Sequence, residues 1–156
     1  LSLLTLKELF VDKKRIKQNF VYRGRVDRVY DGDTIWVTLD LGFDMLFRCS
    51  IRLKGIDTPE SKINVKKYPE RKVEKALAKV AKKRMKELCG KEVWVESKKL
   101  LKGSTADNVK ESTAKEKYGR VLGNIYQMDG TNIADVLIKE GYAIKYSGKK
   151  KTHVWK

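Results

Sequence analysis

Between Phe47 and Lys54 the chain alternates strictly, with Phe47, Cys49, Ile51 and Leu53 on one side and Arg48, Ser50, Arg52 and Lys54 on the other. A period of two is that of a β-strand with one buried face, because successive side chains of a strand point to opposite sides. That parity turns Arg52 out of the core, while Cys49 falls on the core side and reads as a small buried hydrophobe. A chain holding such a strand needs partners that leave one face of the sheet open, and its flanking segments supply them. Val21 to Tyr30 and Thr34 to Leu39 are rich in Val, Ile, Tyr, Trp and Thr and flank Asp31-Gly32-Asp33, which predicts two strands joined by a turn.

Further along, Val73, Ala76, Leu77, Val80, Ala81 and Leu88 recur at helical spacing between Glu70 and Cys89, with Pro69 suited to the start and Gly90 to the stop. Glu92 to Glu96 and Arg120 to Gln127 predict two more strands. Asn132 to Glu140 predicts a second helix, and Tyr142 to Tyr146 a short last strand. Three strands, a long helix, two strands, a helix and a short strand, without βαβ repetition, suit a mainly β, α+β fold: a small barrel of the oligonucleotide-binding (OB-fold) type. Ser97 to Glu116 is long, polar and poor in apolar residues, as a surface loop would be. Trp36 and Trp94 read most simply as core, and Trp155 as packing the tail onto the barrel.

At 156 residues there is room for one domain, expected over 20–156 behind an arm or short helix at 1–19. Cys49 and Cys89 have no metal-ligand spacing and leave open whether they pair. No run approaches the roughly 18 to 20 apolar residues of a membrane span, so no membrane partner is expected; a monomer is. Leu1 to Phe10 is too short and too interrupted by charge for an intact signal peptide, although the first residue is not Met. The 36 Lys and Arg against 20 Asp and Glu give a net charge of +16. Charge of that sign and size attracts polyanions, nucleic acid foremost, although a Lys-rich surface also serves solubility alone.

Four segments place carboxylates or arginines where predicted strands end: Asp31-Gly32-Asp33-Thr34, Arg52, Asp57-Thr58-Pro59-Glu60 and Lys117-Tyr118-Gly119-Arg120. Each has an ordinary reading as a turn, a helix start or a strand start. Their combination, in this order and with Arg52 five positions before Asp57, resembles the staphylococcal nuclease family over Val21 to about Tyr146. The resemblance implies a five-stranded OB-fold barrel with two or three helices and a calcium-dependent phosphodiesterase that cuts DNA and RNA, as endonuclease and exonuclease, leaving 3′-phosphate ends. It makes Asp33, Asp57 and the Thr58 carbonyl ligands of Ca2+, which prefers hard oxygen donors. It makes Glu60 the residue that orients or deprotonates the attacking water, and Arg52 and Arg120 the groups that grip the phosphate. Asp31 would shape the turn or reach the metal through water. Lys117 and Tyr118 align beside the nucleotide, where Tyr118 could equally be a barrel-edge ring, and Tyr146 matches a tyrosine near the nucleotide only loosely. The pattern departs from the family in the long 97–116 loop and in a Lys-rich tail where the family has its final helix. The competing readings are a non-catalytic OB-fold module that only binds nucleic acid and a basic protein that coats it.

Overall fold

The computed structural model describes residues 19–97 and 121–156. The predicted arm, the 97–116 loop beyond Ser97, and Lys117, Tyr118 and Arg120 lie outside them. The alternating segments form a closed barrel. Strands β1 (Val21–Val29), β2 (Thr34–Asp40) and β3 (Leu46–Leu53) make an antiparallel meander. A two-residue strand, β4 (Ile56–Asp57), follows, then helix α1 (Lys72–Cys89), β5 (Glu92–Ser97), β6 (Val121–Tyr126), helix α2 (Ile133–Lys139) and β7 (Ile144–Lys145). The barrel order is β1-β2-β3-β6-β5, with β5 closing on β1 and with β3 and β6 pairing in parallel. Five strands so connected, with a helix between β3 and β5, are the OB architecture that the element order predicts.

Parity decides what fills the barrel. Ile35, Val37, Cys49, Ile51, Leu53, Val93, Val95 and Ile125 are buried inside it. At Gly24 of β1 a Cβ would collide with Val37 and press on Leu39, so only glycine lets the strand pass so close. One residue in β1 is bulged between Val26 and Arg28, which tightens the local twist. Phe47 keeps its parity but lies beyond the barrel wall near the β2–β3 tip and is half exposed. Trp36 and Trp94 are corrections to the expected core: both are only partly buried, on the outer face, because their neighbours Ile35, Val37, Val93 and Val95 take the inside.

The predicted long helix begins with a 3-10 turn at Pro69–Arg71 and then runs as α1 to Cys89, where Gly90 takes a positive φ of 57°. It buries Ala78, Ala81, Met85, Leu88 and Cys89, whereas Val73 and Val80 of the apolar face that the spacing predicts as core are about half exposed. Helix α2 starts at Asn132, whose side chain accepts from the N–H groups of Ala134 and Asp135, the usual way to satisfy orphan donors at a helix start. Its Ile133 and Leu137 are fully buried, and Arg84 of α1 holds Glu140 just past its end at 2.7 Å. Cys49 and Cys89 are free and buried, and burial pushes their thiols up to about 11 and about 12, so both are chemically quiet.

The predicted strand at Tyr142 to Tyr146 shrinks to the two residues of β7, which pair antiparallel with β4: Ile56 with Lys145 and Asp57 with Ile144. That small ribbon is not legible as a strand pattern in β4. Tyr146 adds a bond from its N–H to the Gly55 carbonyl at 2.9 Å. The ribbon brings the C-terminal segment beside Asp57, on top of the β2–β3 end of the barrel.

Candidate active site

At that end of the barrel, Thr34 pairs with Arg52 across β2 and β3 on the outer face of the sheet. Parity turns Arg52 out of the apolar core, but it does not lead to water: the side chain is 9% exposed. Its Nη1 donates to the carbonyls of Leu53 at 3.3 Å and Ile56 at 3.2 Å. Its Nη2 lies 3.2 Å from Asp33 Oδ2 and 3.3 Å from Asp57 Oδ1. One guanidinium nitrogen therefore bridges two aspartates, each only 6% exposed. Buried charge survives when it is paired and bonded on all sides, as it is here.

The turn before β2 is held by space rather than by an unusual backbone. A Cβ on Gly32 would lie 3.0 Å from Ala81 Cβ of α1 and 3.0 Å from Thr58 Oγ1. The Asp31–Thr34 turn is thus pressed between helix and loop, which aims Asp33 at Arg52. Thr34 Oγ1 donates to Asp33 Oδ1 at 2.8 Å, and the Asp33 N–H donates to Asp31 Oδ1 at 3.2 Å. Burial, reinforced by the neighbouring Asp33 and Glu60 carboxylates, pushes the Asp31 carboxyl up to about 7. Asp31, Asp33 and Glu60 therefore share one electrostatic neighbourhood.

Glu60 is partly buried, and its carboxylate is paired with no arginine among the described residues. Its N–H donates to Glu74 Oε1 at 3.1 Å, and its Oε1 accepts from the Lys62 N–H at 3.0 Å. Glu74 is in turn paired with Arg71 at 2.9 Å, which fixes the start of α1 against the loop. Thr58 is buried between these groups.

Two further groups reach the site from the tail. Lys151 Nζ lies 2.7 Å from Asp57 Oδ1, and the Tyr146 ring faces both Arg52 and Lys151, each 5.8 Å from its centroid. The Tyr146 hydroxyl donates to the Lys149 carbonyl at 2.6 Å and so ties the tail down. Sequence reasoning places Tyr146 near the site but has no signal for Lys151, which lies in a run of lysines 94 residues from its partner.

The structure brings together Asp31, Asp33, Arg52, Asp57, Thr58 and Glu60 and adds Tyr146 beside them. The donor set suits a hard divalent cation: two buried carboxylates converge on one positive nitrogen, and a second cation, the Lys151 ammonium, already sits on Asp57. Among the described residues no three His, Cys, Asp or Glu side chains form a metal-holding group.

A five-stranded closed barrel with a buried Asp–Arg–Asp bridge at the end of β2 and β3 defines an OB-fold protein with a charged site on its outer face. The staphylococcal nuclease homologue family model matches residues 50–154, a span that takes in Arg52, Asp57, Thr58 and Glu60. The chain belongs to that family. It is 34% identical over 126 residues to endonuclease YhcR of Bacillus subtilis (strain 168), covering 80% of this chain and 9% of that protein. It is 30% identical over 123 residues to an uncharacterized endonuclease of Escherichia coli, covering 79% of this chain and 60% of that one. The chain thus spans only part of the length of these relatives.

Proposed function

We propose that this chain is a calcium-dependent nuclease domain that hydrolyses phosphodiester bonds of DNA and RNA by direct attack of water, leaving 3′-phosphate ends. The observation that carries this reading is the buried bridge of Asp33, Arg52 and Asp57, with Glu60 in the same neighbourhood, in a member of a nuclease family whose relatives are named endonucleases. An ordinary structural ion pair would not need two aspartates and a guanidinium taken out of water together in so basic a chain, since such burial is costly.

In this reading Asp33, Asp57 and the Thr58 carbonyl hold Ca2+. Ca2+ held there would supply Lewis-acid polarisation of a phosphoryl oxygen. The bonds from Arg52 Nη1 to two carbonyls fix the guanidinium plane, so its charge is oriented before a phosphate arrives. Glu60 accepts a proton from the attacking water at Oε2, its Oε1 being bonded to the Lys62 N–H. Arg120 adds the second guanidinium on sequence grounds, and Lys117 and Tyr118 flank the nucleotide on the same grounds. Tyr146 lines the site beside Arg52, and Asp31 shapes the turn that carries Asp33.

The test is digestion of single-stranded DNA and RNA by purified protein with added Ca2+, stopped by chelator, with end-group analysis of the products. Absence of Ca2+-dependent cleavage would replace the enzyme by a binding module of the same fold. Glu60→Gln should lose most turnover, by about 10²- to 10⁴-fold, while keeping affinity for nucleic acid; loss of affinity or of folding would remove Glu60 from its role.

A further inference from the structure

The outer face of β2 and β3 does not end at the site. Residues paired across these strands share a side, so the face that carries Thr34 and Arg52 continues through Trp36 and Ser50 to Thr38 and Arg48. Strand β1 adds Arg28, paired with Trp36, and Tyr30 follows with the same parity beyond buried Val29. Rings and cations interleave along it. Lys62 Nζ is 4.8 Å from the centre of the Tyr30 ring, Arg28 is 5.7 Å from that ring, and Arg48 is 5.2 Å from the Trp36 ring. The series begins at Lys62, whose N–H is bonded to Glu60, and runs along β2 and β3 for about 13 Å, four residues at about 3.3 Å each.

We propose that this face is a track for single-stranded nucleic acid leading into the site, with bases stacking on Trp36 and Tyr30 and phosphates on Arg28, Arg48 and Lys62. The proposal rests on the nuclease reading only for the direction in which the strand runs to its end. Rings alternating with cations match what a single strand offers: an aromatic face on every base and a negative charge on every link. Duplex DNA, with its bases stacked inside, could use only the cations. Asp27, which lies on this face, does not cancel the track, and Asp40, of the same parity in β2, lies beyond its Thr38–Arg48 end. The Asp27 carboxylate is taken up by Thr38 Oγ1 at 2.7 Å, Arg25 at 3.2 Å and Arg48 at 3.3 Å, and it holds Arg48 in place over Trp36.

The experiment is fluorescence anisotropy in chelator, where nothing is cut, with labelled oligothymidylates of about 4 and about 12 nucleotides, lengths within the range one OB barrel covers. Trp36→Ala, Arg28→Ala and Arg48→Ala are compared with the wild type, each checked for folding by circular dichroism. Trp36→Ala should weaken the longer strand by at least about fivefold, the lower end for losing one stacked base, and leave the shorter one nearly unchanged. The arginine variants should lower the salt dependence of long-strand binding. Equal loss on both lengths, or no loss on the longer one, overturns the track. Should Trp36→Ala fail to fold, the two arginine variants decide. A wild type that never cleaves but prefers the long strand through Trp36 keeps the track and loses the nuclease. One that cleaves with no role for Trp36 does the reverse.

Discussion

Replacing Arg52 with Ala should be among the most damaging single changes this domain can suffer in the absence of metal. The side chain bridges Asp33 and Asp57 and satisfies the carbonyls of Leu53 and Ile56. Its removal leaves two nearly buried carboxylates facing each other with one guanidinium charge gone, and breaking a buried ion pair from one side costs about 3 to 5 kcal/mol. Against a total stability of about 5 to 15 kcal/mol, that is about a fifth or more of the whole. Urea denaturation in chelator, followed by fluorescence and circular dichroism, measures it. Two accompanying results are expected. Arg52→Ala combined with Asp57→Asn should be less damaged than the sum of the single changes, with a coupling of about 0.5 to 3 kcal/mol. Ca2+ should restore more stability to Arg52→Ala than it adds to the wild type, because the charge that Arg52 placed between the two carboxylates is then missing. A loss below about 1 kcal/mol, or additivity with Asp57→Asn, would show that the bridge is not what keeps these acids buried.

Lys151→Ala removes the ammonium on Asp57 and should raise the apparent Ca2+ affinity about two- to fivefold, the modest value suited to a half-exposed lysine; calorimetric titration reads it, and an unchanged affinity would mean that Lys151 does not compete. In chelator, Asp31 binds its proton more tightly folded than unfolded, since its ordinary value of 3.8 is pushed up to about 7. Its contribution to stability is therefore greatest below about pH 4 and is lost as pH rises towards 7. Asp31→Asn should flatten that part of the stability profile, and a profile identical to the wild type would contradict it. Leu137→Ala, in the fully buried contact of α2, should cost about 2 to 5 kcal/mol in the same denaturation assay. Phe43→Ser, at the exposed hairpin tip, should change stability by less than about 0.5 kcal/mol.

The sequence carries the barrel well because its strands announce themselves by period. Ile51 and Leu53 alternate with polar neighbours, Ile35 and Val37 alternate with Thr34, Trp36 and Thr38, and each of the four lies where parity puts it. The same parity could have placed Trp36 outside, since it stands between Ile35 and Val37; size and hydrophobicity argued the other way, and the geometry of the strand won. Arg52 shows the limit of local reasoning. Alternation states that it leaves the barrel interior, but its burial depends on β4, β7 and Tyr146, which arrive from distant parts of the chain. Lys151 has no local signal at all, because one lysine among several is chosen only by where the folded tail lies. The grouping of Asp31, Asp33, Asp57 and Glu60 is legible only through the family resemblance, since each motif alone reads as an ordinary turn or helix start, whereas the clamp on Gly32 by Ala81 and Thr58 is not legible at all, because the turn reads equally well as one needing flexible backbone.

The pairing of β4 with β7 sets an order of events. Asp57 is held by a two-residue ribbon whose other half is made almost ninety residues later, and the Tyr146 and Lys151 contacts come later still. During synthesis from the N-terminus, Asp33, Arg52 and Asp57 all leave the ribosome long before the segment that covers them. The growing chain can wrap its early strands while Asp57 still lacks its ribbon partner, and the finished arrangement waits for the last part of this region. Until β7 and Lys151 are made, Asp57 can have Arg52 as its partner but has neither its ribbon nor its ammonium, so the charged centre is finished from its C-terminal side.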